Sequence, residues 1–128
     1  MVDLFETIPL NDFEKIVLRG ESVRVPSETR NNINTTFDFL SKFSGNKVIY
    51  GINTGFGPMA QYRLDNDLHT DLQYNLIRSH STGMGELCAP EMARAVLLAR
   101  LMNFIQGKSA VSTNVTDLLV ELLNRDIA

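Results

Sequence analysis

From Pro90 onward the sequence admits little other than helix. Met92, Ala95, Val96, Ala99, Met102, Phe104 and Ile105 spread apolar side chains around much of a segment that Pro90 can open and Gly107 can close. Ser112 suits the cap of another helix, in which Val115, Leu118, Leu119, Leu122 and Leu123 recur at helical spacing. A helix apolar on most sides is normally buried, so both are expected to be long buried helices. Two such faces need more partners than a short chain provides. That predicts exposed apolar surface on the 90–106 and 112–124 helices, and with it aggregation or self-association.

The first half is more varied. Residues 10–19, LNDFEKIVLR, place Leu10, Phe13, Ile16 and Val17 on one helical face, with Asn11 or Asp12 as cap and Gly20 as stop. Val23 and Val25 precede Pro26, which favours a short, edge-type strand. Ile33, Phe37, Leu40 and Phe43 then define an amphipathic helix over 27–44, capped by Ser27 and ended by Gly45-Asn46. Lys47 to Ile52 is β-prone and reads as a strand that delivers a glycine-rich loop from Asn53 to Pro58. Asp65 can cap a further helix with Leu68, Leu72, Leu76 and Ser79 on one face, broken by Gly83 and Gly85. The expected fold is mainly α: one or two short strands, then long buried helices. A single domain over 1–128 is expected, with the strands, shorter helices and loop in 1–64 and helix in 65–128.

Composition narrows the functional classes. With 12 basic residues against 15 acidic ones and no basic run, the chain lacks the footprint of a nucleic-acid binder. No apolar run approaches a membrane-spanning length, and the amino terminus lacks the basic and apolar regions of a secretion signal. The single cysteine, Cys88, forms no internal disulfide, and no His or Cys pair stands at metal-ligand spacing. A reducing, cytoplasmic setting without a metal is therefore expected. Cys88, Met84, Met92 and Met102 are expected to pack in or near the core.

Three places could carry chemistry: the loop from Tyr50 to Gly57, the helix end from Asn75 to Gly85, and the turn from Gly107 to Ser112. Glycines at 51, 55 and 57 let the backbone turn sharply and approach a ligand around the Tyr50 phenol. A tyrosine serves as a general base only where neighbours stabilise its phenolate; otherwise Tyr50 is an ordinary strand-end aromatic. The spacing is not that of the phosphate-binding glycine motif. His80, beside Ser79, could orient a polar substrate or shuttle a proton, or could simply be a helix-end histidine favoured by the helix dipole. His69 reads as a surface histidine.

The stretches VIYGINTGFGPMA, LQYNLIRSHSTGMGE, ARLMNFIQGKSAVS and LLVELLNRDIA, in that order and with the opening LNDFEKIVLRGESVRVP, resemble the amino-terminal third or so of the histidine and aromatic amino acid ammonia-lyases. YGINTGFG is the most specific element, and NLIRSH with GMG supports it independently. The resemblance implies that Tyr50 is the base that removes a proton from the substrate's β-carbon. It implies that Gly51, Asn53, Thr54, Gly55, Phe56 and Gly57 form the mobile loop carrying it, and that His80 and Ser79 contact the substrate ring. A Ser-His pair there is closest to the histidine-specific members, which release ammonia and urocanate. The family's electrophile, a methylidene-imidazolone (MIO) group, forms from an Ala-Ser-Gly triad that these 128 residues lack. The chain alone is therefore expected to be inactive, with MIO and the homotetramer belonging to a full-length parent. Pro58 stands where a basic residue is frequent in histidine-specific members, and Ala110 where glycine is common. The alternatives are an aromatic amino acid 2,3-aminomutase, a tyrosine or phenylalanine ammonia-lyase, or a non-catalytic helical interaction module.

Overall fold

The computed structural model describes residues 1–45, 47–60 and 66–127, without the side chains of residues 59 and 66–69. Asn46, Asp65 and the side chains of Leu68 and His69, which figure in the expectations above, lie outside the described residues. The fold is mainly helical, as expected, and divides into two compact units, one formed by residues 1–40 and 87–128 and the other by residues 41–86.

The first unit begins with a parallel pair of two-residue strands, β1 (Val2–Asp3) and β2 (Val23–Arg24), in register Val2 to Val23. Parallel neighbours need a crossover of a dozen or more residues, and helix α1 (Leu10–Arg19) lies within it. The Val23 strand was legible in the sequence; β1, only two residues long, was not. Arg24 donates to both Asp3 oxygens at 2.8 Å, which holds that carboxyl below its ordinary titration range.

Helix α1 starts without a side-chain cap, contrary to the expectation for Asn11 or Asp12. The Pro9 carbonyl accepts from the Asp12 and Phe13 N–H groups at 3.0 and 3.1 Å, so the helix opens at Leu10, before both candidates. Gly20 ends it as expected, at φ 66°, with its N–H turned back to the Lys15 carbonyl. Ile16 and Val17 are buried and Phe13 packs beside them, whereas Leu10, at the first turn, remains 83% exposed.

Helix α2 (Ser27–Ser44) has the predicted bounds and buries Thr29 and Ile33. Helix α4 (Pro90–Ile105), with Pro90 at its first turn, and helix α5 (Thr113–Asn124) complete the core of the first unit; helix α3 (Asn66–His80) belongs to the second. Leu4, Ile16, Val17, Val23, Ile33, Leu98, Leu101, Ile105 and Leu123 form one buried cluster. Each of the larger ones stabilises the fold by roughly 1.5–3 kcal/mol through removal from water.

The buried face of α4 is Arg94, Leu98, Leu101 and Ile105, so of the residues first singled out only Ile105 is fully buried. Met92 and Val96, on the other side, stay 60% and 65% exposed, as do Val115 and Leu118 of α5 at 40% and 54%. Exposed apolar surface on both helices was expected and is present. The expectation of core packing holds in part for Met102 and fails for Met92, Met84 and Cys88. Met84 and Cys88 lie in a segment without helix or strand, which offers no packed face for them to join. Ser112 stands at the cap position of α5 but makes no side-chain hydrogen bond there.

Between α4 and α5, Gly107 takes φ 67° and is buried against Asn32, whose Nδ2 would lie 2.8 Å from an added Cβ. Ala110 takes φ 48°. A left-handed conformation costs a residue with a Cβ roughly 1–2 kcal/mol, part of which glycine gives back through its freer unfolded chain. Ala110→Gly is therefore expected to stabilise the protein by about 0.5–1 kcal/mol and to raise Tm by a few degrees. A calorimetric scan showing a lower Tm would contradict this account of the turn.

Candidate active site

The second unit carries Tyr50 and the Ser79-His80 pair. Its first part departs from expectation: residues 47–52 form turns and bends rather than a strand. The reason lies in Asn53, only 5% exposed. Its Nδ2 donates to the Ser44 carbonyl at the end of α2 at 2.9 Å, and to the Lys47 carbonyl at 2.7 Å. Its Oδ1 accepts from the Ile49 N–H at 2.8 Å, while the Ile52 and Asn53 N–H groups turn back to the Ile49 carbonyl at 3.1 and 3.2 Å. A strand would present those groups to a neighbouring strand. Here a local side chain takes them instead, a competition in which asparagine is well suited to win.

Thr54, 1% exposed, continues the pattern: its Oγ1 accepts from the Gly51 N–H at 3.2 Å and donates to the Gly55 carbonyl at 2.9 Å. Gly51 adopts φ 75°, and a Cβ there would meet the Phe56 ring at 3.3 Å, so both conformation and space favour glycine. The result is a short, internally bonded arch with Tyr50 on it.

Tyr50 is 64% exposed. Its ring meets Phe56 edge to face, with centroids 5.9 Å apart and planes at 82°. Its hydroxyl oxygen accepts from the Gly57 N–H at 3.3 Å. That donor presents positive polarity to the oxygen, the polarity an anionic phenolate needs.

Ser79 and His80 close helix α3 (Asn66–His80) and are exposed. Leu72 and Leu76 of its expected face are half-buried, and the helix stops at His80, before either glycine. The Leu76 carbonyl accepts from the Ser79 hydroxyl at 2.9 Å and lies 2.9 Å from His80 Nδ1, itself 2.9 Å from Ser79 Oγ. A carbonyl only accepts, and the Ser79 proton is already committed to it, so Nδ1 carries the imidazole proton. In the neutral imidazole Nε2 is then an exposed hydrogen-bond acceptor.

The structure thus brings together Tyr50, Gly51, Asn53, Thr54, Gly55, Phe56 and Gly57, and separately Ser79 with His80. Among the described residues no hydrogen bond or ring contact joins the two groups. The Gly107–Ser112 turn lies in the other unit and serves the packing already described. Sequence reasoning treated Asn53 and Thr54 as loop backbone and missed what their side chains do. Two adjacent polar residues directly after an apolar, β-prone run were the available signal.

Residues 8–128 match the family model of the aromatic amino acid lyases. The chain is 33% identical to a probable histidine ammonia-lyase of Thermoplasma acidophilum over 94% of its own length, and 37% identical to the histidine ammonia-lyase of Deinococcus radiodurans over 91%. Its fold superposes on the crystal structure of a tyrosine aminomutase from Streptomyces globisporus with a TM-score of 0.89 at 32% identity, covering 99% of this chain and 24% of that one. It spans 25% and 22% of the two lyases, a quarter of a relative's length rather than the third suggested by the motifs.

Proposed function

Because the chain belongs to the aromatic amino acid lyase family, we propose that it supplies the Tyr50 loop and part of the ring-binding surface of an ammonia-lyase acting on histidine. The observation that carries this is the Tyr50 phenol, exposed on a braced arch with a backbone N–H directed at its oxygen. In the proposed reaction the phenolate oxygen takes a proton from the substrate's β-carbon, the amino group leaves the α-carbon as ammonia, and the carbon pair becomes the double bond of urocanate.

The MIO group supplies an electrophile for the amino group in such enzymes. The chain contains no Ala-Ser-Gly triad, so none of its residues fits the formation of that group, and no step here runs through it. The 128 residues alone are accordingly expected to be inactive, with the complete site belonging to a longer cytoplasmic chain that assembles as a homotetramer.

The Nδ1–H form of His80 supports a substrate ring bearing a donor. Its free Nε2 can accept from the imidazole N–H of histidine, or equally from a tyrosine hydroxyl, but gains nothing from phenylalanine. His80→Leu in the enzyme carrying this segment is therefore expected to reduce kcat/KM for histidine by roughly ten- to a hundredfold while leaving any activity on phenylalanine unchanged. An equal loss on both substrates, measured in one assay series, would remove His80 from ring recognition.

The likeness to the tyrosine aminomutase favours a second reading, in which the amino group is returned to the β-carbon of tyrosine. Product analysis separates the readings. The enzyme carrying this segment and the isolated chain should each be given histidine, tyrosine and phenylalanine, with ultraviolet detection of arylacrylates and chromatography of β-amino acids. Urocanate from the longer enzyme alone supports the proposal. A β-amino acid would replace it with the mutase reading, and turnover by the isolated chain would end the claim of inactivity.

A further inference from the structure

The two amides on either side of Tyr50 are both held by side chains rather than by backbone. The Ile49 N–H goes to Asn53 Oδ1 at 2.8 Å and the Gly51 N–H to Thr54 Oγ1 at 3.2 Å. Both side chains are buried although they belong to an arch of turns, and each uses further bonding capacity to fix the arch. Asn53 ties it to the last turn of α2 through the Ser44 carbonyl, and Thr54 ties it to Gly55. The backbone on both sides of Tyr50 is thereby pinned, while the ring itself remains exposed.

We propose that Asn53 and Thr54 are positioning residues that set the direction of the Tyr50 phenol for proton removal. The inference rests on the proposed role of Tyr50 as base. Asn53 is specific in kind: two donors face two carbonyls and one acceptor faces an N–H, an arrangement a carboxylate of the same shape cannot reproduce. Asp at this position would set negative oxygen against the Ser44 and Lys47 carbonyls. Thr54 needs only its hydroxyl, so Ser keeps the function and the isosteric Val loses it.

The test uses the full-length enzyme carrying this segment, with Thr54→Val, Thr54→Ser, Asn53→Asp and Tyr50→Phe compared using histidine and histidine deuterated at the β-carbon. A misdirected base slows proton transfer itself. Thr54→Val and Asn53→Asp should therefore lower kcat by roughly ten- to a hundredfold with little change in KM, and should enlarge the deuterium isotope effect on kcat. Thr54→Ser should stay within about threefold of the unmodified enzyme. Hydrogen exchange of the segment containing Ile49 and Gly51 should quicken in Thr54→Val and not in Thr54→Ser. A loss that only tracks the folded fraction, with an unchanged isotope effect, would overturn the proposal, as would full activity in Thr54→Val and Asn53→Asp. If Tyr50→Phe itself retains turnover, the underlying assignment of the base fails first, and the positioning role with it.

Discussion

Tyr50→Phe, which deletes one oxygen and keeps the ring, is expected to lower kcat by about 10²- to 10⁴-fold in the full-length enzyme. The ring's edge-to-face packing on Phe56 survives the change, as do the Asn53 and Thr54 bonds that shape the arch. What disappears is the hydroxyl that accepts from Gly57 at 3.3 Å, and because Gly57 is exposed, water can replace it for that N–H. Stability should consequently move by less than about 1 kcal/mol while turnover collapses. Initial-rate assays beside thermal unfolding check both halves of the statement. Turnover within tenfold of the unmodified enzyme would mean that another group takes the proton.

The largest stability effect belongs to Arg94, which is 4% exposed on the inner face of α4. Its guanidinium donates to the Ile16 carbonyl from Nε and Nη2 at 3.3 and 2.9 Å, and from Nη1 to the Leu123 carbonyl at 3.0 Å and Asp126 Oδ1 at 2.6 Å. The two carbonyls lie in the closing turns of α1 and α5, where the dipole favours a cation; the Leu123 carbonyl also accepts from the Asp126 N–H at 3.4 Å. Gly20 directs its N–H to Lys15 rather than Ile16, which leaves Ile16 to Arg94. Arg94→Met fills much of the volume but strands the buried Ile16 carbonyl, at about 1–3 kcal/mol, while the Leu123 carbonyl keeps the Asp126 N–H at 3.4 Å. With the lost bond to Leu123 included, a total loss of about 2–4 kcal/mol is expected in urea unfolding. The ion pair is the smaller part: Asp126 is 78% exposed, so Asp126→Asn should cost less than about 1 kcal/mol. Equal losses for the two variants would show that the charge pair, not carbonyl capping, dominates.

Arg94 also marks the limit of what the sequence disclosed. The bounds of α1, α2, α4 and α5 followed from apolar spacing and from Pro90, Gly20 and Gly107, because these signals act over one or two turns. The same spacing did not single out an inner side for α4. Apolar residues surround that helix, and its buried face is Leu98, Leu101 and Ile105 together with Arg94, whose guanidinium meets carbonyls of α1 and α5. Residues 47–52 failed for a related reason: β-propensity describes a surface awaiting a neighbouring strand, and Asn53 removes the groups that neighbour would pair with. Of the candidate site, Tyr50, Ser79 and His80 were named from the motifs, and the arch that holds Tyr50 emerged only with the hydrogen bonds.

The first unit is assembled from two stretches of chain separated by residues 41–86, and its clearest joint is Asn124, whose side chain accepts from the Val23 N–H at 2.7 Å and donates to the Val23 carbonyl at 2.9 Å. During synthesis, β2 leaves the ribosome long before this partner exists. At 5–20 residues per second the interval is on the order of ten seconds, during which Leu4, Ile16, Val23 and Ile33 have no α4 or α5 to cover them. Nascent chains stalled before Asn124 should thus remain protease-sensitive around Val23, and the early apolar residues form a natural window for chaperone capture rather than an autonomous folding start.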